Sequence, residues 1–166
     1  MKKAVYAGSF DPVTNGHMYV LREGAALFDH LVVAVGTNPQ KRYLFSAEER
    51  KALLEECCRG LPNVEVAAFE GEFLVRFAAR IGATHLLRGI RNEHDYHFER
   101  MMRQVNGDIE PAVTSVYLMP PRDLSEISSS FVKGLVGVEG WREVVARYVP
   151  GPVLEALGRK HREGHP

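Results

Sequence analysis

Cysteine is nearly missing from this chain, net charge is missing altogether, and no apolar run is long. Only Cys57 and Cys58 occur, side by side in a helical pattern. Neighbouring helical residues do not face each other, so the two do not bridge, and no metal-ligand spacing accompanies them. That usage suits a reducing compartment. Lys and Arg together number 21, and so do Asp and Glu. No global field therefore draws the chain to nucleic acid or to an anionic membrane, and any anion site must be built locally. Lys2 and Lys3 precede a short strand pattern rather than a signal core, and no run reaches membrane-spanning length. The expected location is the cytoplasm, with no membrane or nucleic-acid partner. Repeats and linkers are lacking too, so 166 residues read as one domain.

What the chain does have is regular alternation. "KAVYA" (3–7), "HLVVAVG" (30–36), "NVEVAAF" (63–69), "THLLRG" (84–89) and "AVTSVYLM" (112–119) read as strands. Between them lie helical patterns, the first at 16–28 with Met18, Leu21, Ala25 and Phe28 on one stripe. Ser46 with Glu49 three residues on is a capping box for the second. "EFLVRFAARIG" reads as a third helix, and 93–106 as a fourth, with Phe98, Met101, Met102 and Val105 in a stripe. The pattern predicts an α/β fold: a single Rossmann-like, doubly wound, five-stranded parallel sheet with helices on both faces. Residues 1–158 form the expected domain, and 159–166 a polar, frayed tail. In such folds the ligand lies beyond the carboxyl ends of the strands, so chemical residues should follow strands.

They do. After the first strand comes "GSFDPVTNGH" (8–17), and after the second "NPQKR" (38–42). Arg88, Gly89, Ile90 and Arg91 close the fourth; Arg122 and Ser128 to Ser130 follow the fifth. A neutral chain that gathers cations on one edge suits a nucleotide-sized polyanion. The first loop is neither a Walker A loop nor G-x-G-x-x-G. Gly8 permits close backbone approach to a ligand, and Ser9 offers a hydroxyl and an N–H. His17 falls in the first turn of a helix, where the dipole favours phosphate.

"GSFDPVTNGH" together with "ISSSFVK" resembles the nucleotidyltransferase superfamily marked by T/H-x-G-H and a late I-S-S-x motif. With "NPQKR", "FSAEER", "LLRGIR" and "DYHFE" in order, residues 3–157 more closely resemble the bacterial phosphopantetheine adenylyltransferases. The resemblance implies adenylyl transfer from ATP to 4′-phosphopantetheine, giving dephospho-coenzyme A and pyrophosphate, by in-line attack with Mg²⁺ on the phosphates and no covalent intermediate. It also implies a homohexamer and possible feedback by coenzyme A.

Matched by motif, Ser9 and Phe10 would contact ATP, and Ser9 the acceptor phosphate as well. His17 would stabilise the transition state at the α-phosphate, and Lys41 would bridge acceptor and nucleotide. Arg88 would hold the acceptor and Leu74 its pantetheine arm. Gly89, Ile90, Arg91 and Glu99 would serve the nucleotide, as would Leu124, Ser125, Glu126, Ile127, Ser128, Ser129 and Ser130. The chain departs from the family pattern at Leu124 and Glu126. A charged Glu126 beside phosphate must point outward or meet a cation such as Arg122.

Plainer readings stand beside these. His17 alone could be a solvated first-turn residue, and Lys41 a loop lysine. Arg88 follows "HLL", so it should be partly buried and in need of an anion. Arg91 could pair with Glu93 or Asp95, and Glu99 could belong to a surface ladder of Asp95, Glu99 and Arg103. The three serines could cap a helix, although a cap needs one hydroxyl. His94 and His97 share a face without a third ligand. Lys133 could touch phosphate or only solvent. Two other functions remain open on these residues: a nucleotide-binding regulatory module, and transfer to another acceptor such as nicotinamide mononucleotide.

Overall fold

A computed structural model describes residues 1–164. The strands are β1 (Lys3–Gly8), β2 (His30–Thr37), β3 (Val64–Glu70), β4 (His85–Gly89) and β5 (Thr114–Leu118). All pair in parallel, in the order β3-β2-β1-β4-β5. Between and after them run α1 (Asn15–Leu27), α2 (Ala47–Cys57), α3 (Leu74–Arg80), α4 (Glu93–Ile109), α5 (Arg122–Ser125), α6 (Ser129–Leu135), α7 (Trp141–Val145) and α8 (Gly151–Arg162). The doubly wound sheet is the one the alternation predicts.

Period-two alternation sorts the central strands into two cores. Tyr6, Leu31, Val33 and Leu87 face one side and pack with α1, α2 and the C-terminal helices. Val5, Val32, Ala34 and Leu86 face the other, against Val75 and Phe77 of α3. The central strands are hydrophobic on both sides because helices cover both. Strand order reverses direction between β1 and β4, so the crevice beyond their carboxyl ends is the fold's ligand position.

One local expectation changes, and one element has an unusual exposure. The tail is helical: α8 continues to Arg162, and Lys160 Nζ meets Glu49 Oε1 at 2.9 Å. Lys160 also lies 5.7 Å from the centre of the Phe45 ring, so part of the tail is docked on α2. The last two residues assigned to that tail lie outside the described residues. The stripe on α4 forms, but it does not face the core. Phe98, Met101 and Val105 are exposed, whereas Glu99 and Asn106 of the same helix are buried. Both thiols are protonated at neutral pH: burial pushes Cys57 up to about 12 and Cys58 up to about 11. Among the described residues no helix is long and apolar enough to cross a membrane.

Candidate active site

The crevice at the β1–β4 switch point is a cleft of about 440 Å³. Its walls are the ends of these two strands, the first turn of α1, one side of α4 and the start of α6. His17 stands at the third position of α1 in a reciprocal cap. Thr14 Oγ1 accepts the His17 N–H at 3.3 Å, and His17 Nδ1 accepts the Thr14 N–H at 3.1 Å. An acceptor nitrogen carries no proton, so this network assigns the hydrogen to Nε2. Burial, then the charges of Arg91 and Arg88, push the imidazole down to about 4 from its usual 6.5. His17 is therefore a neutral hydrogen-bond donor at physiological pH.

Behind it sits Phe10, edge-on to the imidazole at 5.1 Å and to Tyr6 at 5.5 Å. Phe10 adopts φ +50, unusual for a bulky residue, and its side chain is 1% exposed. The ring thus buttresses His17 and is not among the residues that line the cleft, so the contact with ATP expected of Phe10 would fall to its backbone. Gly8 serves that ring as well: a Cβ on Gly8 would come within 3.1 Å of the Phe10 ring. Gly16 lets α1 approach α5, where a Cβ would meet the Leu124 carbonyl oxygen at 3.3 Å.

Arg88 finds its anion within the protein. Its Nε donates to Glu99 Oε1 at 2.7 Å and its Nη2 reaches the same oxygen at 2.6 Å, while Nη1 donates to the Ala7 carbonyl at 2.7 Å. Glu99 therefore lines the cleft as the anchor of Arg88, not as part of a surface ladder. Arg91 pairs with Asp95, the alternative its spacing allowed, at 2.8 Å from Nε and 3.2 Å from Nη2. Both guanidinium groups still border the cleft, as does Gly89; the Ile90 side chain is buried away from it.

Ser128, Ser129 and Ser130 line the opposite wall with Ile127. Ser128 Oγ caps α6 by accepting the Phe131 N–H at 3.0 Å, and Ser129 Oγ donates to the Pro12 carbonyl at 2.8 Å. Leu124 and Ser125 are half-buried outside the cleft lining. Glu126 is exposed, and its charge is felt by Arg91. The outward placement is one of the two the sequence required. Lys133 pairs with buried Asp11 at 2.9 Å. Asp11 also accepts the N–H groups of Leu44 and Phe45, each at 2.9 Å, so it ties the first loop to the second. Sequence reasoning missed this role, although Asp11 lies within the motif it singled out.

A second cavity, of about 270 Å³, opens on the other side of β1. It shares Ala7, Gly8 and Arg88 with the first and is lined also by Ser9, Thr37, Tyr43 and Leu74. Leu74 is thus part of this cavity's lining. Lys41 lies elsewhere: it occupies an exposed turn and lines neither cavity. Among the described residues, no group of three His, Cys, Asp or Glu side chains could hold a metal ion. The donors here suit phosphate oxygens instead.

A Rossmann-like sheet with a T-x-G-H first turn at its switch point and a serine-rich wall opposite defines a nucleotidyltransferase. The cytidylyltransferase-like family model matches residues 5–134. The phosphopantetheine adenylyltransferase of Chromobacterium violaceum is 52% identical over 157 residues, 95% of this chain and 96% of the relative. That of Neisseria meningitidis serogroup C is 47% identical over 161 residues, 97% and 95% of the two chains. The chain belongs to the phosphopantetheine adenylyltransferases, within the cytidylyltransferase-like family. The fold extends further: nicotinic acid mononucleotide adenylyltransferase of Plasmodium falciparum, solved with NaAD, aligns with a TM-score of 0.66 at 15% identity. That alignment covers 97% of this chain and 96% of the other.

Proposed function

We propose that this enzyme attaches the adenylyl group of ATP to 4′-phosphopantetheine, releasing pyrophosphate and dephospho-coenzyme A. The observation that carries the reading is the pair of cavities joined at Gly8 and Arg88, with the donor edge of His17 on the nucleotide side. The larger cleft takes ATP along Gly89, Arg91 and the serine wall. The smaller takes the pantetheine arm against Leu74, with its phosphate near Ser9 and Arg88.

A phosphate monoester has a second pKa of about 6, so the acceptor arrives largely ionised and needs no general base. Its oxygen attacks the α-phosphorus as the bond to the pyrophosphate oxygen breaks, and no proton need move. The residues then supply alignment and charge stabilisation. His17 Nε2–H donates to a non-bridging α-phosphate oxygen, and Arg88 and Arg91 balance the growing negative charge. Mg²⁺ on the ATP phosphates would neutralise the leaving group; it would be held by the nucleotide. Lys41 reaches the phosphates only if its turn folds inward over them. We place the enzyme in the cytoplasm and its assembly as a homohexamer, with coenzyme A as a candidate feedback ligand. The exposed apolar stripe on α4 supports self-association.

The test is pyrophosphate release with Mg²⁺ and ATP, comparing 4′-phosphopantetheine, nicotinamide mononucleotide and no acceptor. Release that requires 4′-phosphopantetheine is expected. Release with the mononucleotide alone would move the acceptor, and ATP binding without turnover would make the cleft a sensor.

A further inference from the structure

One cation beneath the second cavity has no part in the chemistry above. Arg50, in the first turn of α2, has a side chain only 1% exposed. Its Nη1 donates to the carbonyls of Ser9, at 2.7 Å, and Gly36, at 3.0 Å. Nη2 donates to Thr37 Oγ1 at 3.1 Å, and Nε to the Ser46 carbonyl at 3.3 Å. The guanidinium also lies 4.1 Å from the centre of the Tyr43 ring. All four acceptors are neutral oxygens. Burying a charge among them is costly, and a surface helix offers an easy outward alternative.

The contacts share a destination. Ser9, Gly36, Thr37 and Tyr43 all line the second cavity. One planar group thus joins the ends of β1 and β2 to the start of α2 and to the loop between them. Its hold extends into that loop. The Tyr43 hydroxyl accepts the Asn38 N–H at 2.8 Å, and Asn38 accepts the N–H groups of Gln40 and Lys41, each at 2.9 Å.

We propose that Arg50 is a positioning residue for the acceptor: it shapes the wall of the second cavity and sets the turn carrying Lys41, without touching the nucleotide. The proposal rests on the reaction assigned above, because only that reading makes the second cavity the acceptor's. Lysine cannot replace it, since a single ammonium cannot span acceptors on three segments.

The test measures both substrates separately in Arg50→Lys, Thr37→Val and Thr37→Ser. In Arg50→Lys, kcat/KM for 4′-phosphopantetheine should fall about tenfold or more while KM for ATP stays within about twofold, the pattern of a misplaced acceptor. Thr37→Val, which removes one acceptor of the fork and keeps the buried charge, should shift the same constant by roughly threefold, and Thr37→Ser should restore it. Equal rises in both KM values, or unchanged acceptor constants in folded variants, would overturn the proposal. If Arg50→Lys fails to fold, the Thr37 pair decides. An unaltered enzyme that ignores 4′-phosphopantetheine would reject the assigned reaction and this proposal together; the variants reject the proposal alone.

Discussion

Because Nδ1 of His17 accepts the Thr14 N–H, the imidazole presents its one N–H to the cleft and stays neutral around neutral pH. His17→Ala should cost on the order of a hundredfold or more in turnover, as for removal of one oxyanion donor. It should also lose about 1 kcal/mol of stability, because half of a capping box goes with it. His17→Gln should recover the stability, since glutamine serves in that cap, without recovering the rate; urea midpoints and steady-state turnover separate the two. The pH dependence has a definite sign. The folded chain holds His17 near 4 against an ordinary 6.5, so the unfolded chain binds a proton that the folded one refuses. Stability should therefore fall on acidification from about 6.5 to about 4 and level off below, with that part of the slope absent in His17→Gln. A native slope identical to that of the variant would contradict the assigned protonation state. His17 was legible from its motif because a strand, a turn and a helix start announce it. Arg50 and Asp11 were not, because a buried charge is recognised by oxygens and N–H groups from segments far along the chain.

At the scale of elements, the pairing of β4 with α4 through Arg88 and Glu99 organises the floor of the cleft. Glu99→Ala would leave a half-buried guanidinium with only the Ala7 carbonyl, and we expect a loss of roughly 1–3 kcal/mol. Glu99→Gln, which keeps an acceptor oxygen, should lose less; denaturant titration of both variants would show the order. Strands and helix starts were readable because their signals are local: alternation for Val5, Val32 and Val33, and the Ser46–Glu49 box for α2. The destination of an apolar stripe is not local. Phe98, Met101 and Val105 mark a helix face as surely as Met18 and Leu21 do, yet one face is exposed and the other buried. The basic last turn of α8 misleads in the opposite direction. Its charges read as solvated, while the Lys160 ammonium group lies over the Phe45 ring and reaches Glu49.

For the molecule as a whole, the homohexamer proposed above would bury the exposed face of α4. Met101 is 61% exposed, so Met101→Glu should leave the isolated fold intact while weakening association between copies. Sedimentation should show the mass falling toward that of one chain, with thermal unfolding of the separated subunit still cooperative. Persistence of the native mass would remove this face from the interface. Total charge was legible at once, but its local arrangement was not, because Asp95 and Glu99 engage the cations that strand ends present. That engagement has a consequence for discrimination among the ordinary anions of a cell. A site with bare arginines would fill with chloride or inorganic phosphate, whereas here any visitor must first compete with a carboxylate already in place. A monovalent ion gains too little to do so; a triphosphate, meeting several donors at once, gains enough. With both arginines already paired, a polyanion such as a nucleotide should be favoured over monovalent ions in the cleft, while the molecule as a whole remains electrically neutral.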